Sequence, residues 1–345
     1  MEERHHDGTL EWLERIPKVE LHLHLEGAIP LDTLWTLVEK YGGTGDVPSL
    51  GALREKFVYR SFPQFIATWS WKNSFIREYE DFTLFSEAVA RHLAAQGIRY
   101  AECFFSPGDF SRRNLSTSLI AEAIRGGLSK VPEIEVALIA DLVRDFGPCR
   151  GERTLDEATE VRHLGIIGIG IGGSEQQYPP EAFTRVYKKA ERLGFHTTAH
   201  AGEAAGAPSI WGALRSLGVE RIGHGTRAFE DDDLVRYLGE RQVPLELCPL
   251  SNVATGVVAS LEEHPVARYF RLGLKVTVNT DDPAMFGTSL AGEYRALMRA
   301  FGLTREDIRK LILNAIESSW CSRGEKEKRA GEFSLHPSWK EEKGA

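Results

Sequence analysis

The stretch Val19-Glu20-Leu21-His22-Leu23-His24 decides the architecture. Residues two apart on a β-strand face the same side, so this alternation turns both imidazoles into one cavity. Two distant runs end in the same way: Thr197-Thr198-Ala199-His200-Ala201-Gly202-Glu203 and Val276-Thr277-Val278-Asn279-Thr280-Asp281-Asp282. In each, a metal-binding type of side chain closes a short, apolar, β-rich segment. Strands of one barrel aim side chains at a common point from such positions. His22, His24, His200 and Asp281 together make a ligand set for one divalent transition metal, with zinc the best match to three neutral imidazoles and a carboxylate. Gathered at a strand mouth, such a set points to activation of a water molecule.

Working outward from this stretch, eight strand-like segments can be read at 19–24, 99–105, 135–142, 166–171, 196–200, 221–224, 244–248 and 275–280. They alternate with helix-like segments at 30–41, 180–193, 231–238 and 264–272, and Gly194 and Gly273 suit helix C-terminal stops. The pattern predicts an α/β fold, a (β/α)8 TIM barrel, with active residues at the C-terminal ends of its strands. Residues 30–96 exceed a minimal connection and contain helix-like 62–71 and 82–95. The expectation is a helical insertion between strands 1 and 2 that covers the barrel mouth. Extra C-terminal helices are read at 292–301, at 304–319 and near Glu325. With no linker, repeat or low-complexity tract, one domain over 1–345 is the simplest reading, preceded by a polar leader, 1–12, expected to be disordered.

Composition bounds the function. The 345 residues are 42% hydrophobic, enough for a large core, and carry a net charge of −8 with the two signs intermixed. This argues against a nucleic-acid footprint and for small-molecule work. Cys103, Cys149, Cys248 and Cys321 are too scattered for a disulfide frame or a thiolate metal site and read as reduced thiols of a cytoplasmic protein. No signal-peptide core opens the chain, and no apolar run approaches the roughly 20 residues of a membrane helix.

Three further residues read as acid and base groups. Glu203 follows His200 by one turn, which places a carboxyl beside the metal without binding it. Partial burial would raise its pKa and fit it for proton transfer. His224 ends Arg221-Ile-Gly-His-Gly and fits two roles, a fifth ligand or the base that holds the attacking water; its glycine neighbours permit close backbone approach. Asp281 and Asp282, adjacent at a strand end, point differently, one to the metal and one to the substrate. By contrast, Gly168-Ile-Gly-Ile-Gly-Gly173 matches G-x-G-x-x-G only literally. Its glycines fall in a strand and no helix follows closely, so its backbone is expected to face a flat ligand and not a phosphate. Asp231-Asp232-Asp233 reads as a helix start.

Five stretches now carry a resemblance from about Pro17 to Ser319: 17–29 (Pro-Lys-Val-Glu-Leu-His-Leu-His-Leu-Glu-Gly-Ala-Ile), His200-Ala-Gly-Glu, Arg221-Ile-Gly-His-Gly, Leu247-Cys-Pro-Leu-Ser-Asn and Asn279-Thr-Asp-Asp-Pro. The chain resembles the adenosine deaminases, the adenosine/adenine/AMP branch of the metal-dependent hydrolases. The resemblance implies one zinc per chain on His22, His24, His200 and Asp281, and hydrolytic loss of ammonia from C6 of a purine. It implies Glu203 as proton donor to N1, His224 as the residue that orients the attacking water, and Asp281 as a shuttle for the water's proton. Asp282 would then be a partner of N7, and the Gly173 backbone a donor to N3. The stretch 61–69 resembles the family's lid helix, with Phe62, Phe65, Ile66 and Trp69 facing the ligand. Adenosine-specific members usually carry Asp, a ribose 5′-hydroxyl ligand, where this chain has Glu26. Adenosine or 2′-deoxyadenosine is the first substrate expected; adenine, or a 5′-modified nucleoside such as aminodeoxyfutalosine, is the alternative. Barrel hydrolases of another kind, acting on an ester or amide, often carry a lysine that bridges two metals; none is found at a strand end here, so one metal is preferred.

Overall fold

All eight expected strands form. They are β1 (Lys18–His24), β2 (Ile98–Phe105), β3 (Glu135–Asp141), β4 (Ile166–Gly170), β5 (His196–Ala201), β6 (Arg221–His224), β7 (Leu245–Leu247) and β8 (Val276–Val278). Each is parallel to the next, in chain order. The result is a nearly closed barrel of TIM type with helices between the strands. The computed structural model describes residues 11–59 and 61–339, and the Phe62 side chain lies outside the description.

The strands are covered on both of their faces, and nearly all of their residues are buried. Leu21 and Leu23 pack outward under the helices, while Glu20, His22 and His24 point inward, all of them buried. The last gap is closed at the site itself. His24 N–H donates to Asp281 O at 2.9 Å, and Asp281 N–H donates to His22 O at 3.1 Å. β8 is shorter than expected, and Asp281 lies beyond its end in a left-handed conformation, φ 62°.

The insertion is only partly a lid. Between β1 and β2 lie the helices Leu31–Lys40, Leu50–Lys56, Phe62–Asn73 and Tyr79–Ala95. The last belongs to the outer ring, packed against helix Thr117–Leu128. Its Ser86 hydroxyl donates to Ile124 O at 3.1 Å, and its Thr83 hydroxyl to Ala123 O at 3.0 Å. Helix Phe62–Asn73 alone of these four reaches the barrel-mouth cavity.

Of the expected leader 1–12, Glu11 and Trp12 fall among the described residues. Trp12 opens a short helix, is buried, and packs its ring 5.3 Å from that of Trp339; residues 1–10, with His5 and His6, lie outside the described residues. The acidic run at 231–233 is a helix start as expected: Asp231 accepts the N–H groups of Asp233 and Leu234 at 2.9 and 3.1 Å. All four cysteines are free. Among the described residues no helix is long and apolar enough to cross a membrane.

Candidate active site

His22, His24, His200 and Asp281 meet at the C-terminal mouth of the barrel. His200 Nε2 is 3.1 Å from His22 Nε2 and 3.1 Å from His24 Nε2. Asp281 Oδ1 is 3.6 Å from His22 Nε2 and 3.4 Å from His24 Nε2. One donor atom each from His22, His200, His224 and Asp281 also falls within a 4.8 Å span. Burial depresses the pKa of every one of these imidazoles, that of His24 to about 3. The rings are therefore neutral and their lone pairs are available.

Neighbouring groups fix which nitrogen carries the proton. His22 Nδ1 donates to Glu246 Oε2 at 2.8 Å, leaving Nε2 as a bare lone pair that faces the His200 nitrogen. Lone pairs pressed together at 3.1 Å suit a cation between them, so the donor set fits a divalent metal. Glu246 also pairs with Arg221 Nε at 2.5 Å, Arg221 Nη1 pairs with Glu102 at 2.6 Å, and the indole of Trp320 lies 3.6 Å from the guanidinium carbon. This buried charge network occupies the barrel interior below the site. A pair of this kind is costly to break because either half would be left uncompensated.

His224 is held differently. Asn252 Oδ1 accepts from Thr226 and His264, at 2.6 and 3.1 Å, so its amide nitrogen is the donor 3.2 Å from His224 Nδ1. The neutral His224 ring then carries its proton on Nε2, which lies 3.6 Å from Glu203 Oε2 and 4.0 Å from Asp281 Oδ2. Ser251 donates to Asp281 Oδ2 at 2.6 Å. His224, like Asp281, is a non-glycine residue in the left-handed region, φ 60°. Such conformations persist where the surroundings enforce them, and they concentrate at functional sites. Next to it, a Cβ on Gly223 would come within 2.8 Å of His22 Cε1, so glycine makes room for the His22 ring.

Glu203 is buried, and burial, followed by the nearby Glu175 carboxylate, raises its pKa to about 8. It lines a cavity of about 280 Å³ shared with His24, His200, His224, Asp281 and Asp282. Phe65, Ile66 and Trp69 of helix Phe62–Asn73 form one wall, and Gly173 borders the cavity on the loop after β4. The Gly172 and Ser174 amides are bound to Asp141 and Asp145, while the Gly173 N–H has no partner among the described residues. Trp71, farther along the same helix, turns away to pack on Phe75 and Lys56.

Glu26 does not line this cavity. Its Oε1 accepts the Ser106 N–H at 2.9 Å, and its Oε2 is buried without a partner among the described residues. Sequence reasoning missed the group that faces it, Lys72 of the lid helix. Lys72 is 1% exposed, bonds Asn73 Oδ1 at 2.7 Å and lies 3.9 Å from the ring centre of Trp69. Glu26, Asp282 and Asp109 supply the negative charge around it. Its only advance signal was a single charged residue in a helix that carries four aromatic side chains.

Gly27 gives a direct test of this packing. A Cβ there would lie 1.6 Å from Asp282 Oδ1. Gly27→Ala is therefore expected to drive the Asp282 carboxylate from its place and to lower kcat/KM on the order of 100-fold, the scale of an ångström-sized misplacement. Steady-state kinetics within two-fold of wild type would mean that this carboxylate is not used.

Comparison with known proteins agrees with this geometry. The adenosine deaminase family model matches residues 17–333. An adenine deaminase of Chlorobium phaeobacteroides is 35% identical over 92% of this chain and 95% of its own. An aminodeoxyfutalosine deaminase of Streptomyces coelicolor is 34% identical over 93% of this chain and 84% of its own. The crystal structure of an amidohydrolase from Burkholderia ambifaria with bound zinc superposes with a TM-score of 0.88 at 26% identity, covering 96% of this chain and 93% of that one. The chain belongs to the adenosine deaminase family and is a hydrolytic deaminase of adenine-type substrates.

Proposed function

We propose that this enzyme uses one zinc ion to deaminate the adenine ring at C6, with the free base as its preferred substrate. The observation that carries the chemistry is the meeting of His22, His24, His200 and Asp281 beside the buried Glu203 carboxyl and the Nε2–H of His224. His22, His24, His200 and Asp281 would hold a divalent cation, which when bound would lower the pKa of water from about 15.7 to near 7 and so supply a nucleophile at neutral pH. The protonated Glu203 donates to N1, which makes C6 electrophilic. His224, fixed by Asn252, directs its Nε2–H at the oxygen that attacks. Asp281 Oδ2, held by Ser251, takes the proton this oxygen sheds. Asp282 meets N7, the Gly173 N–H meets N3, and Phe65, Ile66 and Trp69 cover the ring and keep bulk water out. Asp281 passes the water's proton on to the amino group, the C6–N bond breaks to release ammonia, and the remaining O–H proton of the tetrahedral adduct recharges Glu203, leaving the 6-oxo product with its proton on N1.

Glu26 supports the free base. Where adenosine-specific relatives carry the shorter Asp, this carboxylate is engaged by Ser106 outside the cavity lining, so the usual ribose anchor is lost. An adenine deaminase is among the similar relatives, alongside an aminodeoxyfutalosine deaminase. A nucleoside, adenosine or 2′-deoxyadenosine, is the second reading. It is favoured by the polar groups that also line the cavity, Ser106, Asp109, Asp141 and Asp145, which offer partners to a sugar. Loss of the adenine chromophore and release of ammonia should be followed on adenine, adenosine, 2′-deoxyadenosine and a 5′-modified adenine nucleoside. Adenine is expected to lead adenosine in kcat/KM by about 10-fold or more, the scale of discrimination that a changed pocket contact gives. A lead for adenosine would reverse the order of the two readings, and no turnover of any 6-aminopurine would overturn both.

A further inference from the structure

Glu175 touches neither the ligand cluster nor the cavity, yet it is buried and its carboxylate collects four consecutive backbone amides. Oε1 accepts the Gly202 N–H at 2.6 Å, and Oε2 accepts those of Glu203, Ala204 and Ala205 at 3.1, 2.8 and 3.0 Å. These amides leave β5 just after His200 and precede the helix Ala207–Gly212, so neither strand nor helix would satisfy them. A carboxylate is the strong acceptor such a turn calls for. The same loop grips the turn a second time, through Gln176 Nε2 on Ala204 O at 2.7 Å. Arg144 pins both ends of the assembly, donating to His200 O at 2.6 Å and to Tyr178 O at 2.7 Å.

We propose that Glu175 is a positioning residue for the deamination, locking the turn that presents Glu203 to the loop that presents Gly173. The inference rests on the reading of Glu203 as donor to N1 and Gly173 as donor to N3. N1 and N3 belong to one rigid six-membered ring and are separated by a single carbon. Two contacts so close together, coming from two different loops, hold only if the loops keep a fixed spacing. Glu175 joins them directly: it lies two residues after Gly173, and its bonds end on the amide of Glu203 itself. Sub-ångström placement of a proton donor is worth large factors in rate.

A double-mutant cycle on the zinc-loaded full chain tests this, with Glu175→Gln, Glu203→Gln and the pair. Glutamine keeps the size of the side chain but replaces one acceptor oxygen by a donor. Glu175→Gln is expected to lower kcat about 10-fold or more with a smaller change in KM, with metal content and unfolding midpoint close to wild type. In the Glu203→Gln background the same change is expected to cost less than about 2-fold, because the group it positions has already been disabled. Amide exchange in the segment 200–206 should quicken in Glu175→Gln. Equal losses in both backgrounds would make Glu175 a purely structural residue and overturn the inference, while the Glu203→Gln loss itself would still uphold the proposed function. Full activity in Glu203→Gln alone would sink the proton-donor reading first. Should Glu175→Gln fail to accumulate folded, Glu175→Asp enters the same cycle, with the charge kept and the reach shortened. Wild-type kcat in whichever variant folds also overturns the proposal.

Discussion

Glu203→Gln is expected to lower kcat at least about 100-fold, the lower end of what a positioned general acid contributes, while the protein keeps its metal. The carboxyl and the amide have the same shape, so the cavity wall survives. What is lost is a proton that can be given to N1. Burial is the main reason that proton is present: it raises the Glu203 pKa, the Glu175 carboxylate adds to the rise, and Arg144 opposes it. The protonated form is the active one, so activity falls as the pH climbs through this pKa, and the alkaline limb of kcat/KM should vanish in Glu203→Gln. A bound cation would pull the same pKa down, so the wild-type limb is expected below about 8. Zinc content near one per chain separates this outcome from damage to the ligand set. Wild-type kcat with zinc retained would remove Glu203 from the chemistry.

The barrel was legible because parallel strands buried on both faces leave short apolar runs closed by polar residues, and each of the eight runs became a strand. The candidate ligands were legible because ligand types recurred at those strand ends. Helices Thr117–Leu128 and Gly147–Glu160 were not. The first carries Gly126 and Gly127, poor helix formers, but a Cβ on Gly127 would come within 2.1 Å of the Ser86 hydroxyl, so glycine is required by close packing with Tyr79–Ala95. The second buries little beyond Gly151, Thr154, Leu155 and Ala158, too few apolar side chains to print a period. The supports of the site were hidden for a related reason. Glu246, Arg221 and Glu102 are inward residues of three different strands, and sequence spacing does not say which inward residues meet across a barrel. Glu175 was hidden because its partners are backbone amides, which have no sequence signature.

His200→Ala is expected to lose metal and activity together. His200 supplies the nitrogen common to both short contacts, at 3.1 Å to His22 and 3.1 Å to His24, so its removal opens the centre of the cluster and not its edge. The remaining His22, His24 and Asp281 would leave water in the central place of the lost imidazole, where a protein nitrogen had held the cation. Metal analysis after dialysis should find about one zinc per wild-type chain and less than about a tenth of that in the variant. Unfolding supplies a readout independent of turnover. A ligand bound only by the native state stabilises it by about 4 kcal/mol at a thousand times its Kd, so a chelator should lower the unfolding midpoint of the wild type and leave that of His200→Ala unchanged. The physical basis is the packing of neutral imidazole lone pairs against one another and against a carboxylate, an arrangement that a cation relieves and that bare protein must hold at a cost. If chelation moved neither midpoint, or if His200→Ala kept its zinc, the four side chains would not be a metal site, and the route to a nucleophile at neutral pH would be lost with it.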